Sequence, residues 1–277
     1  MKHWISVLSL GTVLALPAYA QHSLTQLWQT PDLATPESVL YVADKSTPYL
    51  FVALIDGDGS AVDGKGGVAK LATDGSVIDK DWVTGLNAPK GMAVYKGLLY
   101  VADITEVVVI DTKTQKIVKK IPIADSVFLN DVTVNDSGVV YVSDTRTNKV
   151  YEIVDGKPSL YLDEVTSANG LKAIGDKLII GAGPELLSVG ADKKRVVLAK
   201  GFAQGIDGIE PLTKTGEFIV SCWAGLVYHV SADGKLQLLI DSQAEKINTA
   251  DIGYDPNTNQ VFVPNFFKNS VTAYQLK

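Results

Sequence analysis

Apolar and polar positions alternate along the chain in short runs, and six of these runs share a common core: Leu50-Phe51-Val52, Leu99-Tyr100-Val101, Val140-Tyr141-Val142, Leu178-Ile179-Ile180, Phe218-Ile219-Val220 and Val261-Phe262-Val263. Their middle residues stand 49, 41, 38, 40 and 43 positions apart, near the roughly 40–45 residues of a four-stranded propeller blade. The third copy gives the order most plainly, with strands expected over 130–134, 139–143, 149–154 and 159–162. Asp74-Gly75, Asp155-Gly156 and Asp233-Gly234 fall between the third and fourth strands of their copies and read as hairpin turns. Beyond residue 20 no stretch longer than about ten residues keeps a capped 3.6-residue apolar period, so a helix-bearing barrel fits poorly. The pattern predicts an all-β fold, a six-bladed β-propeller with four-stranded blades.

The last copy supplies only three strands, over 251–254, 260–265 and 271–276, while 24–30 reads as a strand that precedes the first copy. The N-terminal strand is therefore expected in the last blade, where it closes the ring and removes open sheet edges. This makes 21–277 a single domain. Ahead of it, Lys2 and His3, an apolar run over 4–16, Pro17 and the small-residue pattern Ala18-Tyr19-Ala20 read as a secretory signal peptide over 1–20, cut before Gln21. Its apolar run falls short of the roughly 20 residues that cross a bilayer. No membrane span is expected, and the mature chain is expected to be periplasmic or secreted.

Composition narrows the function. With 46% hydrophobic residues, 20% charged and a mean hydropathy of +0.14, the chain is not of the disordered class. A formal net charge of −6 without a basic cluster removes the electrostatic footprint that nucleic acids require. Cys222 is the single cysteine, so no intrachain disulfide forms, and it reads as a small apolar strand residue. The stretch GSAVDGKG over 59–66 approaches a phosphate-binding loop, but Gly66 stands where Ser or Thr is required and no helix follows. Neither a nucleotide nor another organic cofactor site is expected. Asp56, Asp58 and Asp63 in that loop echo a calcium loop, yet Gly67 replaces the closing Glu, which leaves a solvated acidic loop.

The phase of the repeat singles out another set. First strands line the channel of a propeller, and here they start at Glu37, Lys90, Asn130, Asn169, Asp207 and the stretch 249–251. Two carboxylates and two amide oxygens, from Glu37, Asn130, Asn169 and Asp207, would converge on one axis with no His or Cys among them. Such oxygens suit a hard divalent cation, Ca2+ in preference to Mg2+, and to Zn2+, which draws nitrogen and sulfur.

The motifs around these residues resemble the family of senescence marker protein-30, gluconolactonase and luciferin-regenerating enzyme. Glu37 lies in PESVLY, Asn130 in FLNDVTV, Asn169 in SANGL and Asp207 in GIDGI. The resemblance implies a six-bladed propeller with a divalent metal on these four residues, and Asp207 as the catalytic general base for lactone hydrolysis. One position departs: where the family's sugar lactonases carry a substrate-holding Arg, two residues before the third-blade Asn, this chain has Phe128. Lys90, Arg146 and Lys268 are the candidate sources of positive charge at the same mouth. Trp223, Phe266 and Phe267 are candidates for an apolar wall, and the long loop 55–66 for a lid. The expected activity is metal-dependent hydrolysis of a small lactone or ester, in which the cation polarises the carbonyl and Asp207 accepts a proton from water. The alternative is a non-catalytic propeller that binds a small ligand or a protein beside a structural metal.

Overall fold

Runs rich in Val, Ile, Leu and aromatic residues, cut by turn residues, fold into six antiparallel sheets of four strands each in the computed structural model, which describes residues 21–44, 46–212 and 215–277. The expected signal peptide, 1–20, lies outside the described residues. In chain order blade 1 spans 36–86, blade 2 89–122, blade 3 129–162, blade 4 168–200 and blade 5 206–241. Blade 6 joins three strands over 253–276 to the N-terminal strand Leu24–Thr30, which pairs antiparallel with Val271–Leu276. Blade 3 runs Leu129–Val134, Val140–Asp144, Lys149–Val154 and Lys157–Leu162, within two residues of each expected start. The turn glycines Gly75, Gly156 and Gly234 have φ of 89°, 73° and 79°, left-handed values that L side chains rarely adopt.

Buried side chains seal the joints between blades. Phe51 and Trp82 of blade 1 pack with Leu99 and Val101 of blade 2, and Leu50 and Val52 pack across the closing seam with Phe262, Val271 and Ala273. Each of the Val, Leu and Phe side chains contributes about 1.5–3 kcal/mol by leaving water. The seam is closed a second time at the channel. Asp251 forms a parallel bridge with Ser38, and its N–H and C=O bond to Glu37 O and Val39 N, both at 3.0 Å. With its backbone committed to blade 1, the chain enters the inner strand of blade 6 only at Gly253, two residues later than the apolar pattern predicts.

The one helical element among the described residues is the short 3-10 turn Phe266–Lys268. No described helix is long and apolar enough to cross a membrane.

Candidate functional site at one channel mouth

Glu37, Lys90, Asn130, Asn169 and Asp207 each occupy the second position of an inner strand, in blades 1 to 5 respectively. At each of these positions the pairing with the next strand slips: between Pro36 and Ser38, Pro89 and Met92, Leu129 and Val132, Ala168 and Leu171, and Ile206 and Ile209. A bulge of this kind breaks the two-residue alternation and re-aims a side chain. Five successive bulges at one level direct five polar side chains to one cavity.

The backbone groups freed by the bulges find partners. Asp131 N–H and Gly208 N–H donate to Ser143 Oγ at 2.9 Å and Ser221 Oγ at 2.8 Å, and the Ser221 hydroxyl donates onward to Ala250 O at 2.7 Å. The loops entering the strands are held as well. The Asp103 carboxylate accepts from Asn87 N–H at 3.0 Å and Ala88 N–H at 2.8 Å; Asp144 accepts from Val127 N–H at 2.7 Å and Phe128 N–H at 3.2 Å.

Glu37, Asn130, Asn169 and Asp207 face one cavity of about 250 Å³. Asn130 Nδ2 donates to Thr145 Oγ1 at 3.1 Å and Asn169 Nδ2 to Asp207 Oδ1 at 2.8 Å, so each amide commits one N–H to the protein. Glu37 Oε2 and Asn169 Oδ1 are buried with no hydrogen-bond partner, each an arrangement that costs about 1–3 kcal/mol. Burial, followed by the proximity of Asp207, pushes the Glu37 carboxyl well above its ordinary pKa, with Lys90 pulling the other way; burial pushes Asp207 up to about 7. Buried oxygens without donors, beside carboxyls short of positive charge, fit a hard divalent cation.

The other expected residues divide. Lys90 lies in the cavity wall, 2% exposed, with Nζ donating to Gly59 O at 2.9 Å and Ala88 O at 2.8 Å. Burial lowers its pKa, against the pull of Glu37. Phe128 also lines the cavity, and its ring centroid lies 4.4 Å from Lys90 Nζ and 4.3 Å from Arg146 Cζ. Arg146 is not among the lining residues; its Nη2 donates to Ser60 Oγ at 2.9 Å. Gly59 and Ser60 belong to the long loop, which is thereby tied down over the mouth. Trp223 and Phe266 line the wall, in edge contact at 5.5 Å. Phe267 meets both rings edge to face, 64% exposed, and Lys268 is exposed on the same 3-10 turn; neither lines the cavity.

The sixth place in the ring holds no oxygen side chain. On the Ser38–Asp251 bridge the residue level with Glu37 is Ala250, and Asp251 sits one residue further along. There it accepts from Ser38 Oγ at 2.6 Å. Asp131, also one residue past its ring position, accepts the N–H groups of Val132 and Leu171 and is raised by burial to about 7. These carboxylates face a second cavity of about 180 Å³, further along the inner strands, beside a Lys172–Glu210 ion pair of 2.7 Å. Counting back from second strands finds the first layer of the channel; the second layer carries no sequence signal of its own. Cys222 is fully buried, and burial pushes its thiol up to about 12, in keeping with a structural residue.

No protein-family model matches the chain, and no curated protein matches it in sequence. Solved structures do match in fold. A catalytically inactive variant of virginiamycin B lyase from Staphylococcus aureus, with quinupristin, is 11% identical over 92% of this chain and 99% of its own, with a TM-score of 0.63. A streptogramin B lyase is 12% identical over 92% and 98%, with a TM-score of 0.64. A protein of unknown function from Bacteroides thetaiotaomicron is 12% identical over 92% and 76%, with a TM-score of 0.68. At these identities the likeness establishes the propeller fold, while the resemblance to the senescence marker protein-30 family rests on its motifs.

Proposed function

We propose that the protein is an exported, divalent-cation-dependent hydrolase of small lactones or esters, with Glu37, Asn130, Asn169 and Asp207 as cation ligands and Asp207 as general base. The observation that carries this reading is the pair of buried, partnerless oxygens, Glu37 Oε2 and Asn169 Oδ1, facing the cavity that Asp207 enters. Export rests on the residue pattern of 1–20. A divalent cation in this cradle supplies the positive charge that polarises a carbonyl oxygen and eases the ionisation of water, Ca2+ being the cation the oxygen donors favour. Asp207, which lines the cavity beside the cradle, would take a proton as water adds to the carbonyl carbon and return it to the departing alkoxide. Asn169 holds the Asp207 carboxylate in place through its amide N–H. Trp223 and Phe266 give an apolar side to the cavity, whose size lies below the roughly 300–1,000 Å³ of drug-sized pockets and so favours a small substrate.

The similar lyase is catalytically inactive when a histidine is replaced by alanine, and no histidine lines the present cavity. A carboxylate base therefore serves this chain better than an imidazole one. The second reading, a non-catalytic binding propeller with a structural cation, is favoured by Phe128, whose ring engages Lys90 and Arg146 where the lactonases place a substrate-holding arginine.

Hydrolysis of a panel of lactones and aryl esters by wild type and Asp207→Asn separates the two. The amide keeps a ligand oxygen but cannot act as base, so kcat is expected to fall by roughly 10²–10⁴ while Ca2+ still binds. Ca2+ binding by wild type without turnover of any member of the panel would move the protein to the second reading.

A further inference from the structure

The chain has three histidines, and the two beyond residue 20 meet far apart in sequence. His22 precedes the ring-closing strand, and His229 lies in the third strand of blade 5; their ring centroids are 4.1 Å apart. Glu217, at the start of the second strand of blade 5, brings its Oε2 to 3.6 Å from His229 Nε2. One ligand atom from each of the three residues lies within 4.8 Å of the other two, the one such group of His, Cys, Asp and Glu among the described residues. His229 is 5% exposed, and its Nε2 is buried without a hydrogen-bond partner.

We propose that His22, Glu217 and His229 form a second metal site, for a borderline transition cation of the Zn2+ class, which fastens the N-terminal segment to blade 5. Two imidazoles and a carboxylate are a donor set for such a cation, whereas Ca2+ and Mg2+ prefer oxygen alone. With metal–ligand bonds of about 2.0–2.2 Å, tetrahedral donors stand roughly 3.3 Å apart, so the His229–Glu217 spacing is close and His22 closes the remainder by turning its ring. Its surroundings orient it for this. His22 Nδ1 faces Lys277 O at 3.3 Å, and donation there leaves Nε2 with its lone pair. The backbone of His22 is clasped by Gln237 of blade 5, with N–H donating to Oε1 at 3.1 Å and Nε2 donating to the His22 carbonyl at 2.7 Å. Ser23 and Lys277 exchange backbone hydrogen bonds of 3.1 and 3.0 Å, so both ends of the described chain meet beside the site. Three protein ligands leave a fourth position for water.

The test uses untagged protein stripped of metal and then saturated with Ca2+, so that the oxygen cradle of the channel is satisfied before Zn2+ is titrated calorimetrically. One Zn2+ per chain is expected, with affinity reduced tenfold or more in His22→Ala and His229→Gln. Co2+ in place of Zn2+ should give the intense visible bands of a four-coordinate ion in wild type and lose them in His22→Ala. Should His229→Gln fail to fold, His22→Ala carries the test, since its side chain is only partly buried at the edge of the ring. Absence of a Zn2+ isotherm in wild type, or equal affinity in His22→Ala, would overturn the proposal and leave the channel site untouched.

Discussion

Asn169 does two things with one amide: its N–H group holds Asp207 and its oxygen is left, buried and unpaired, for something else. Lys90 is also divided, its charge flanked by the Phe128 ring while its hydrogens hold the loop 55–65 through Gly59 O. Replacing Lys90 with Met should release that loop, and limited trypsin digestion should cleave after Lys65 faster than in wild type. An unchanged cleavage rate would mean that the Arg146–Ser60 contact alone secures it. Cys222 makes the opposite kind of prediction. With its thiol raised to about 12 by burial, it should resist a thiol-reactive dye at pH 8 and react only on unfolding. Rapid labelling of the native protein would contradict the burial of this strand end.

At the scale of elements, the site is made by bulges, and the serines that satisfy them should matter as much as the residues on display. Ser221→Ala leaves Gly208 N–H and Ala250 C=O without their partner, which should cost about 1–3 kcal/mol in urea unfolding and loosen Asp207, one residue away. A change within about 0.5 kcal/mol would show that the bulge needs no such support. The repeat phase made the inner strands and the ring positions Glu37, Asn130, Asn169 and Asp207 legible, because a fixed count from a recognisable apolar strand survives the variation of loops. It did not reveal the bulges, since a register slip changes pairing without changing composition. It misplaced the sixth inner strand because Asp251 commits its backbone to blade 1, a partner more than two hundred residues away. The histidine pair was hidden for the same reason: His22 and His229 share neither strand nor motif. Lys268 and Phe267 belong to a 3-10 turn whose direction no alternation rule specifies.

Across the whole molecule, the ring gathers acids into its channel and must compensate for them. With metal removed, Asp207 and Asp131 hold their protons up to about 7, whereas an unfolded aspartate releases its proton near about 3.9. Between those values the native state binds more protons than the unfolded chain, so these groups lower stability as pH rises from about 4 to about 7. The turn aspartates Asp44, Asp74 and Asp111, lowered by hydrogen bonds from neighbouring Ser or Thr residues, act in the other sense, and their contribution is lost as pH falls below that window. Thermal unfolding of stripped protein should therefore show a falling Tm from pH 4.5 to pH 7.5, and saturating Ca2+ should flatten the decline by taking the place of the proton at Asp207. A Tm that rises through this interval without metal would show that the channel acids are ionised and otherwise compensated.

The proposed cation site requires that oxygens from four blades grasp one ion. Calorimetric titration of Ca2+ into stripped wild type, Glu37→Gln and Asn169→Ala measures this without reference to any substrate. One ion per chain in wild type, with affinity at least tenfold weaker in both variants, is the predicted result. No binding by wild type, or binding that neither substitution weakens, would contradict it.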